Sequence, residues 1–221
     1  QKAFRARSED EVMETIRRCG EQFGGSVRRV FLADGDATVL PTRRLLAILE
    51  AIRTHLPGVH RISSYCLPRN LKKKSQDEIN ALAAAGLAMV YVGAESGDDE
   101  VLAAVNKGET YESTHEALAK LGTAGISRSV MILNGLGGQA LSAQHADNSA
   151  RLMNATQPEY VSTLVVSFPL GEDRYRSAFP GWESLDQHGL FVELERFIAG
   201  MELKRTVFRS DHASNWLALK G

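Results

Sequence analysis

Apolar residues along this 221-residue chain fall into two alternating patterns, short strand-length runs and helical stripes. The runs lie at residues 27–33, 59–63, 87–93, 129–133 and 160–167, with the lengths of buried strands. The stripes fall between them. Ser8 reads as an N-cap with Glu11 three residues on, and Val12, Ile16, Cys19 and Phe23 share one face of a helix that Gly24-Gly25 ends. Pro41 opens a second helix with Leu45, Leu49 and Ile52 inward, stopped by Pro57-Gly58. Further helices are predicted at 76–85, with Ile79 and Leu82 inward, and at 99–105, 111–121 and 142–154. Strand and helix alternate five times with short connections, which predicts an α/β fold built on a parallel sheet of right-handed βαβ units. Strand order separates a barrel from a doubly wound sheet, and periodicity does not supply it. Past Gly171 the alternation breaks. An amphipathic helix at 189–201 on Leu190, Leu194, Phe197 and Met201 is followed by a short strand at 205–209 and a polar stretch at 210–215.

The polar residues within this pattern gather at one end of each strand. Asp34-Gly35-Asp36 follow the first run, Ser64-Tyr65 the second, Glu95 the third, Asn134-Gly135 the fourth, and Ser167 closes the fifth. Ligand sites of barrels and doubly wound sheets lie at those carboxyl ends. Asp36, Tyr65, Glu95, Asn134 and Ser167 are therefore expected on one concave face. Carboxylates grouped at the end of a buried strand are costly for packing and point to binding; an Asp-Gly turn capping the next helix is the plainer reading. A hydrophobic share of 43% and a charged share of 24% suit a soluble domain with a real core. The net charge of −1 argues against nucleic acid or an anionic membrane as partner. No apolar run reaches the roughly 18 residues of a membrane span. Cys19 and Cys66, far apart, predict a reduced, cytoplasmic protein without disulfides. The chain opens at Gln1 in front of a helix and reads as a piece whose beginning is missing.

Candidate chemistry remains open at this level. Asp34, Asp36 and Glu95 could form an oxygen-rich divalent-metal site, or accept hydrogen bonds from a ligand ammonium and sugar hydroxyls. Gly135, Gly137 and Gly138 let backbone approach a planar ligand, but their spacing is not a dinucleotide fingerprint, and a tight connection explains them as well. Lys72-Lys73-Lys74 reads as a solvated face. There is no Gly-x-Ser-x-Gly elbow, and neither cysteine has a neighbouring histidine to activate it. Asp211-His212-Ala213-Ser214-Asn215 is either a turn that satisfies itself or a tail laid over a substrate.

Several stretches together resemble the radical SAM superfamily, in a branch similar to oxygen-independent coproporphyrinogen oxidase. They are Phe4-Arg5-Ala6-Arg7-Ser8, residues 30–41 with Asp34-Gly35-Asp36, residues 62–71, 91–108 and 132–138, and residues 208–219. The resemblance implies a partial (β/α)6 TIM-like barrel whose first strand is missing here. Residues 1–171 would form the barrel core and 172–221 a C-terminal helical extension packed on it. The implied activity is reductive cleavage of S-adenosylmethionine to a 5′-deoxyadenosyl radical, acting on an unknown, small-molecule substrate. The implied cofactors are S-adenosylmethionine and a 4Fe–4S cluster, with flavodoxin or ferredoxin as reductant. By position, Asp34-Gly35-Asp36 matches the Gly-Gly-Glu stretch that accepts the methionine ammonium, with Asp36 as the acid. Glu95 matches a glutamine that contacts the cofactor, and Lys107 an arginine for the methionine carboxylate, giving up the bidentate fork. Residues 132–138, with Asn134 and Gly135, would lie along the adenine, and Ser64, Tyr65 and Ser167 complete the expected cofactor-binding set.

The chain departs from this pattern in three places. Tyr65 and Met131 stand where the porphyrinogen enzyme has acids contacting ribose, so its substrate is not carried over. The three cluster cysteines, which would bind the only metal, are expected just before Gln1. The full-length protein then reads as an enzyme and this chain alone as inactive. Two other readings stand beside it, a metal-dependent barrel enzyme acting on a phosphorylated small molecule and a non-catalytic nucleotide-binding module.

Overall fold

The computed structural model describes residues 7–169 and 171–220. The segment of resemblance at Phe4-Arg5-Ala6 falls outside them. Strand β1 (Arg29–Leu32) is preceded by α1 (Glu9–Phe23) and followed, after a 3-10 turn at Ala37–Val39, by α2 (Thr42–His55). Next come β2 (Arg61–Tyr65), α3 (Pro68–Leu71), α4 (Gln76–Ala84), β3 (Leu87–Glu95), α5 (Asp99–Ala104) and α6 (Tyr111–Thr123). Then follow β4 (Ser127–Asn134), α7 (Gly138–Thr156), β5 (Tyr160–Val165), α8 (Asp173–Ala178), α9 (Gln187–Ala199), β6 (Val207–Ser210) and β7 (Leu219–Lys220). The Ser8 capping box forms as expected, with its side chain accepting from Glu11 N and Glu11 reaching back to the Ser8 amide.

The sheet runs β1-β2-β3-β4-β5-β6-β7 without a reversal. The pairs from β1 to β6 are parallel, and only β7 is antiparallel. This order settles what periodicity left open. With right-handed crossovers and no change of direction, the helices fall on one face, giving the arc of a partial barrel rather than a doubly wound sheet. The side chains alternate accordingly. Val90, Val92, Ala94, Val130 and Ile132 are buried in the core with Leu49 and Ile52 of α2, Leu82 of α4, Leu118 of α6 and Leu152 of α7. Tyr91, Gly93, Ser129 and Met131, on the opposite face, are half-buried, because helices do not cover that side.

The C-terminal part carries the helices α8 and α9 and also returns to the sheet. β6 pairs in parallel with β5, Val161 opposite Phe208, so residues beyond 171 complete the same sheet. β5 also stops at Val165, leaving Ser167 in the loop after it, and α3 and α8 had no signal in the apolar pattern. On the helix side of β4, Arg128 is nearly buried and ties three elements together. Its guanidinium donates to the carbonyls of Leu118 (3.1 Å), Thr156 (2.9 Å) and Gln157 (2.9 Å), and to the Glu159 carboxylate (2.8 Å).

At the other edge, β1 pairs with β2 alone among the described residues. A groove of about 470 Å³ beside it is lined by Val12, Thr15, Leu32, Leu40 and Ile48. Unpaired strand edges with apolar surroundings template association. We expect the 221-residue chain to self-associate with rising concentration in light scattering; a monomer stable across a wide range would refute this.

Candidate functional site

Each parallel strand delivers its carboxyl end to the same rim, and the ends of β1 and β3 carry unusual backbone. Asp34 (φ +64°) and Gly35 (φ +130°) turn the chain after β1, and Glu95 (φ +64°) ends β3. Asn106 (φ +51°) adjoins Lys107. Left-handed conformations cost non-glycine residues on the order of 1 kcal/mol or more and gather at functional sites.

The centre of the rim is an ion pair. Lys107 Nζ lies 2.9 Å from Glu95 Oε1, with the side chains 17% and 20% exposed. A register shift between Gly93 and Glu95 turns the carboxylate back over β3. Gly93 makes room for it, since a Cβ there would come within 2.4 Å of Glu95 Oε1. On the same open face Phe31, Tyr65 and Tyr91 form an aromatic cluster, with ring centroids 4.9 Å apart for Phe31–Tyr65 and 5.7 Å for Phe31–Tyr91. Tyr65 is 53% and Phe31 40% exposed, leaving flat apolar surface beside the charged pair.

The two aspartates at the end of β1 separate in role. Asp36 Oδ1 accepts from Thr38 N (2.7 Å) and Thr38 Oγ1 (2.6 Å), and Oδ2 accepts from Leu67 N (2.6 Å) and Asn70 Nδ2 (2.7 Å). A carboxylate has about four acceptor positions, so the chain itself fills this one. Asp36 therefore has its acceptor positions bonded within the chain. Asp34 is exposed.

Other expected residues turn away from the open face. Ser64 is fully buried, its hydroxyl donating to Tyr65 O (2.8 Å). Asn134, also buried, donates to Leu190 O of α9 (3.1 Å). Gly135 (φ +88°) gives its amide to Glu193 Oε1 at 2.6 Å and packs against Leu190. The glycine run does not offer bare backbone. Trp182 Nε1 and Tyr175 Oη both donate to Leu136 O, at 3.1 and 2.8 Å, and the Trp182 ring lies where a Gly138 Cβ would be. Ser167 is exposed at the rim. His212 belongs to a turn that satisfies itself, Nδ1 accepting from Ser214 N (3.1 Å) and contacting its hydroxyl (2.9 Å). Asn215 pins that turn to β5 through Val165 N and Thr163 O, both at 2.8 Å.

Sequence reasoning missed the buried polar groups behind the rim. Glu193 sits on the apolar stripe of α9 between Leu190 and Phe197, and an acid on such a stripe was the available signal. It accepts from Gly135 N and from Ser142 Oγ (2.6 Å), and burial pushes its carboxyl up to about 7 despite both bonds. His145 lies 3.8 Å from it and burial brings its pKa down to about 4. Asp98 N donates to Ser96 Oγ (3.0 Å), so the serine hydroxyl donates to His145 Nδ1 (2.7 Å) and Nε2–H donates to Leu133 O (3.0 Å). This network assigns the neutral Nε2 tautomer. Arg69 and Glu109, which hold the Lys107 loop, carried no signal in the sequence pattern.

The metal reading fails on this geometry. Among the described residues no group of three His, Cys, Asp or Glu could hold a metal ion; Glu95 is paired with Lys107 and the Asp36 oxygens are occupied. An iron–sulfur cluster does not fit the two thiols either. Cys66 is buried at the end of β2 and its thiol is pushed well up by burial, then by the Asp36 charge; Cys19 lies on α1. The rim does fit S-adenosylmethionine in its donor set, with a cation for a carboxylate and carboxylates for an ammonium or ribose.

Comparison with known proteins follows the same lines. The family profile of the Radical SAM superfamily matches residues 1–147. None of the curated proteins matches the chain. Among solved structures, coproporphyrinogen III oxidase from Escherichia coli, a radical SAM enzyme, gives a TM-score of 0.67 at 16% identity, covering 86% of this chain and 45% of its own. Methylornithine synthase gives 0.60 at 15%, covering 94% and 56%. A radical S-adenosylmethionine methyltransferase from Kitasatospora setae, with cobalamin and a [4Fe-4S] cluster bound, gives 0.56 at 20%, covering 72% and 29%. At these identities the likeness is one of fold. This chain spans 29% to 56% of those proteins' lengths, and among the described residues no helix is long and apolar enough to cross a membrane.

Proposed function

The chain belongs to the radical SAM superfamily, and on that premise we propose that it forms the S-adenosylmethionine-holding rim of a radical SAM enzyme core. The cofactors of that family are S-adenosylmethionine and a 4Fe–4S cluster, and together they supply reductive cleavage to a 5′-deoxyadenosyl radical for use on a substrate. The observation that carries the reading is the Glu95–Lys107 pair at the end of the middle strand, over Gly93. Its position is that of the two side chains the resemblance puts on the cofactor.

In this reading Lys107 binds the methionine carboxylate as a point charge, and Glu95 exchanges part of its bond with Lys107 for the ribose or amino group. Asp34 offers an ammonium its acceptor at the end of β1, two strands along the rim. The Phe31–Tyr65–Tyr91 surface lies on the open face and excludes water on the substrate side. The fold supplies placement, while the cofactors carry the difficult chemistry. The substrate is a small molecule of unassigned class, and the electron donor is a flavodoxin or ferredoxin. Because the cluster does not fit these residues, the chain by itself acts as a binding module.

Each remaining contact is worth about 0.5–3 kcal/mol, against several kcal/mol for immobilising a flexible ligand. Calorimetric or NMR titration is therefore expected to give S-adenosylmethionine binding near 1 mM, about 4 kcal/mol, with no 5′-deoxyadenosine formed. Lys107→Ala should weaken binding about tenfold, about 1.4 kcal/mol. Micromolar binding would overturn the division of affinity between this rim and the cluster. An unchanged affinity in Lys107→Ala would overturn the site.

A further inference from the structure

The helix α3 stands between the loop after β1 and the loop that carries Lys107, and polar bonds reach it from both sides. From β1, Asp36 Oδ2 receives Leu67 N and Asn70 Nδ2. Toward the other loop, Arg69 Nε meets Glu109 Oε1 at 2.8 Å, and the Arg69 amide meets the same oxygen at 3.1 Å. A terminal guanidinium nitrogen of Arg69 donates to the Lys107 carbonyl. Gly108 (φ +71°) lies against the guanidinium, which a Cβ there would approach to 3.1 Å. Glu109 is 2% exposed in its side chain, and its second oxygen receives Ser113 Oγ at 2.8 Å.

Four residues cannot hold a helix by their own hydrogen bonds, so α3 depends on these contacts. They are also more than a surface loop requires. A carboxylate taken out of water is unfavourable unless its partners repay it, and Glu109 is buried where it holds Arg69, which in turn bonds the Lys107 carbonyl. The Lys107 amine is then held in front by Glu95 and its carbonyl behind by Arg69.

We infer that Arg69 is a positioning residue for Lys107, with Asp36 anchoring the platform from which it acts. The inference rests on the reading of Lys107 as a contact to S-adenosylmethionine. Arg69 touches no ligand in it. Its effect on binding passes through the lysine, since displacing a contact by about 1 Å is enough to lose most of its benefit. Asp36 belongs to the same device, which explains why all its acceptors are used within the chain.

The test is a double-mutant cycle on the 221-residue chain, titrated with S-adenosylmethionine by NMR and melted in parallel. Arg69→Gln removes the two-sided bond and should weaken binding about fivefold. In the Lys107→Ala background the same change should alter affinity by less than about 1.5-fold, while its effect on thermal stability stays the same in both backgrounds. Equal losses in both backgrounds would show that Arg69 acts on folding or on the ligand directly, and would overturn the inference. An unchanged affinity in Arg69→Gln, with Lys107→Ala still weakened, would overturn the inference alone. No effect of Lys107→Ala would overturn the reading beneath it and the inference with it.

Discussion

Arg128→Ala is expected to destabilise the protein by about 3–5 kcal/mol, the cost of breaking a buried, multiply bonded ion. The arginine is 7% exposed and reaches two helices at once, the Leu118 carbonyl within α6 and the carbonyls of Thr156 and Gln157 at the end of α7. Alanine leaves these acceptors facing a cavity where neither water nor another donor has easy access, at about 1–3 kcal/mol for each group that stays unpaired. Glu159 loses less, because it is 42% exposed in its side chain and can turn to solvent. Gly122 sits against the guanidinium, with a notional Cβ only 2.6 Å away, so the surrounding chain is shaped to this one side chain. For a domain of this size each kcal/mol lowers the melting temperature by roughly 2–4 °C, and a drop of about 10 °C is expected in calorimetry. Arg128→Lys should recover only part of it, since a single ammonium cannot reach all the acceptors. A loss below about 1 kcal/mol would show that the helix ends find other partners.

Removing the titration of Glu193 should change how stability depends on pH. Burial raises its folded pKa to about 7 from an ordinary 4.5. Between those values the folded state holds more protons than the unfolded one, so this group makes stability fall as pH rises from 4.5 to 7. His145 acts in the opposite direction. Its folded pKa is near 4 against an ordinary 6.5, so its contribution is lost as pH falls from 6.5 to 4. The two slopes are each about 1.4 kcal/mol per pH unit and cancel between pH 4.5 and 6.5, leaving the wild type nearly flat there. Glu193→Gln keeps an acceptor for the Gly135 amide and removes one slope. Its stability should rise by roughly 3 kcal/mol across that window, read from denaturant melts at successive pH values. Asp98 and Glu159, in which burial is outweighed by donors such as Val101 N and Arg128, affect both proteins alike at lower pH. Parallel profiles for wild type and variant would refute this account. The result bears on the rim, because Glu193 fixes the turn at Gly135 at the end of β4.

The periodic apolar runs determined the elements, since alternation and helical stripes are local properties that one side of a sheet or helix imposes on its own sequence. The Ser8 capping box, the inward faces of α2 and α4 and the gathering of polar residues at strand ends were legible for the same reason. The resemblance named Glu95 and Lys107 separately, through several matching stretches, and their pairing with each other comes from the structure. Strand order was not legible, because it depends on which strands meet in space, and the parallel pairing of β6 with β5 lay hidden in a short run after a break in the pattern. The direction of single side chains was equally out of reach. Asn134 and Ser64 stand at the proper strand ends, yet strand parity and the arrival of α9 turn them inward. Asp36 and Asp34 are indistinguishable as letters. Only the tertiary structure brings Leu67 and Asn70 to one of them, through hydrogen bonds between residues more than thirty positions apart, and such bonds leave no periodic trace in a sequence.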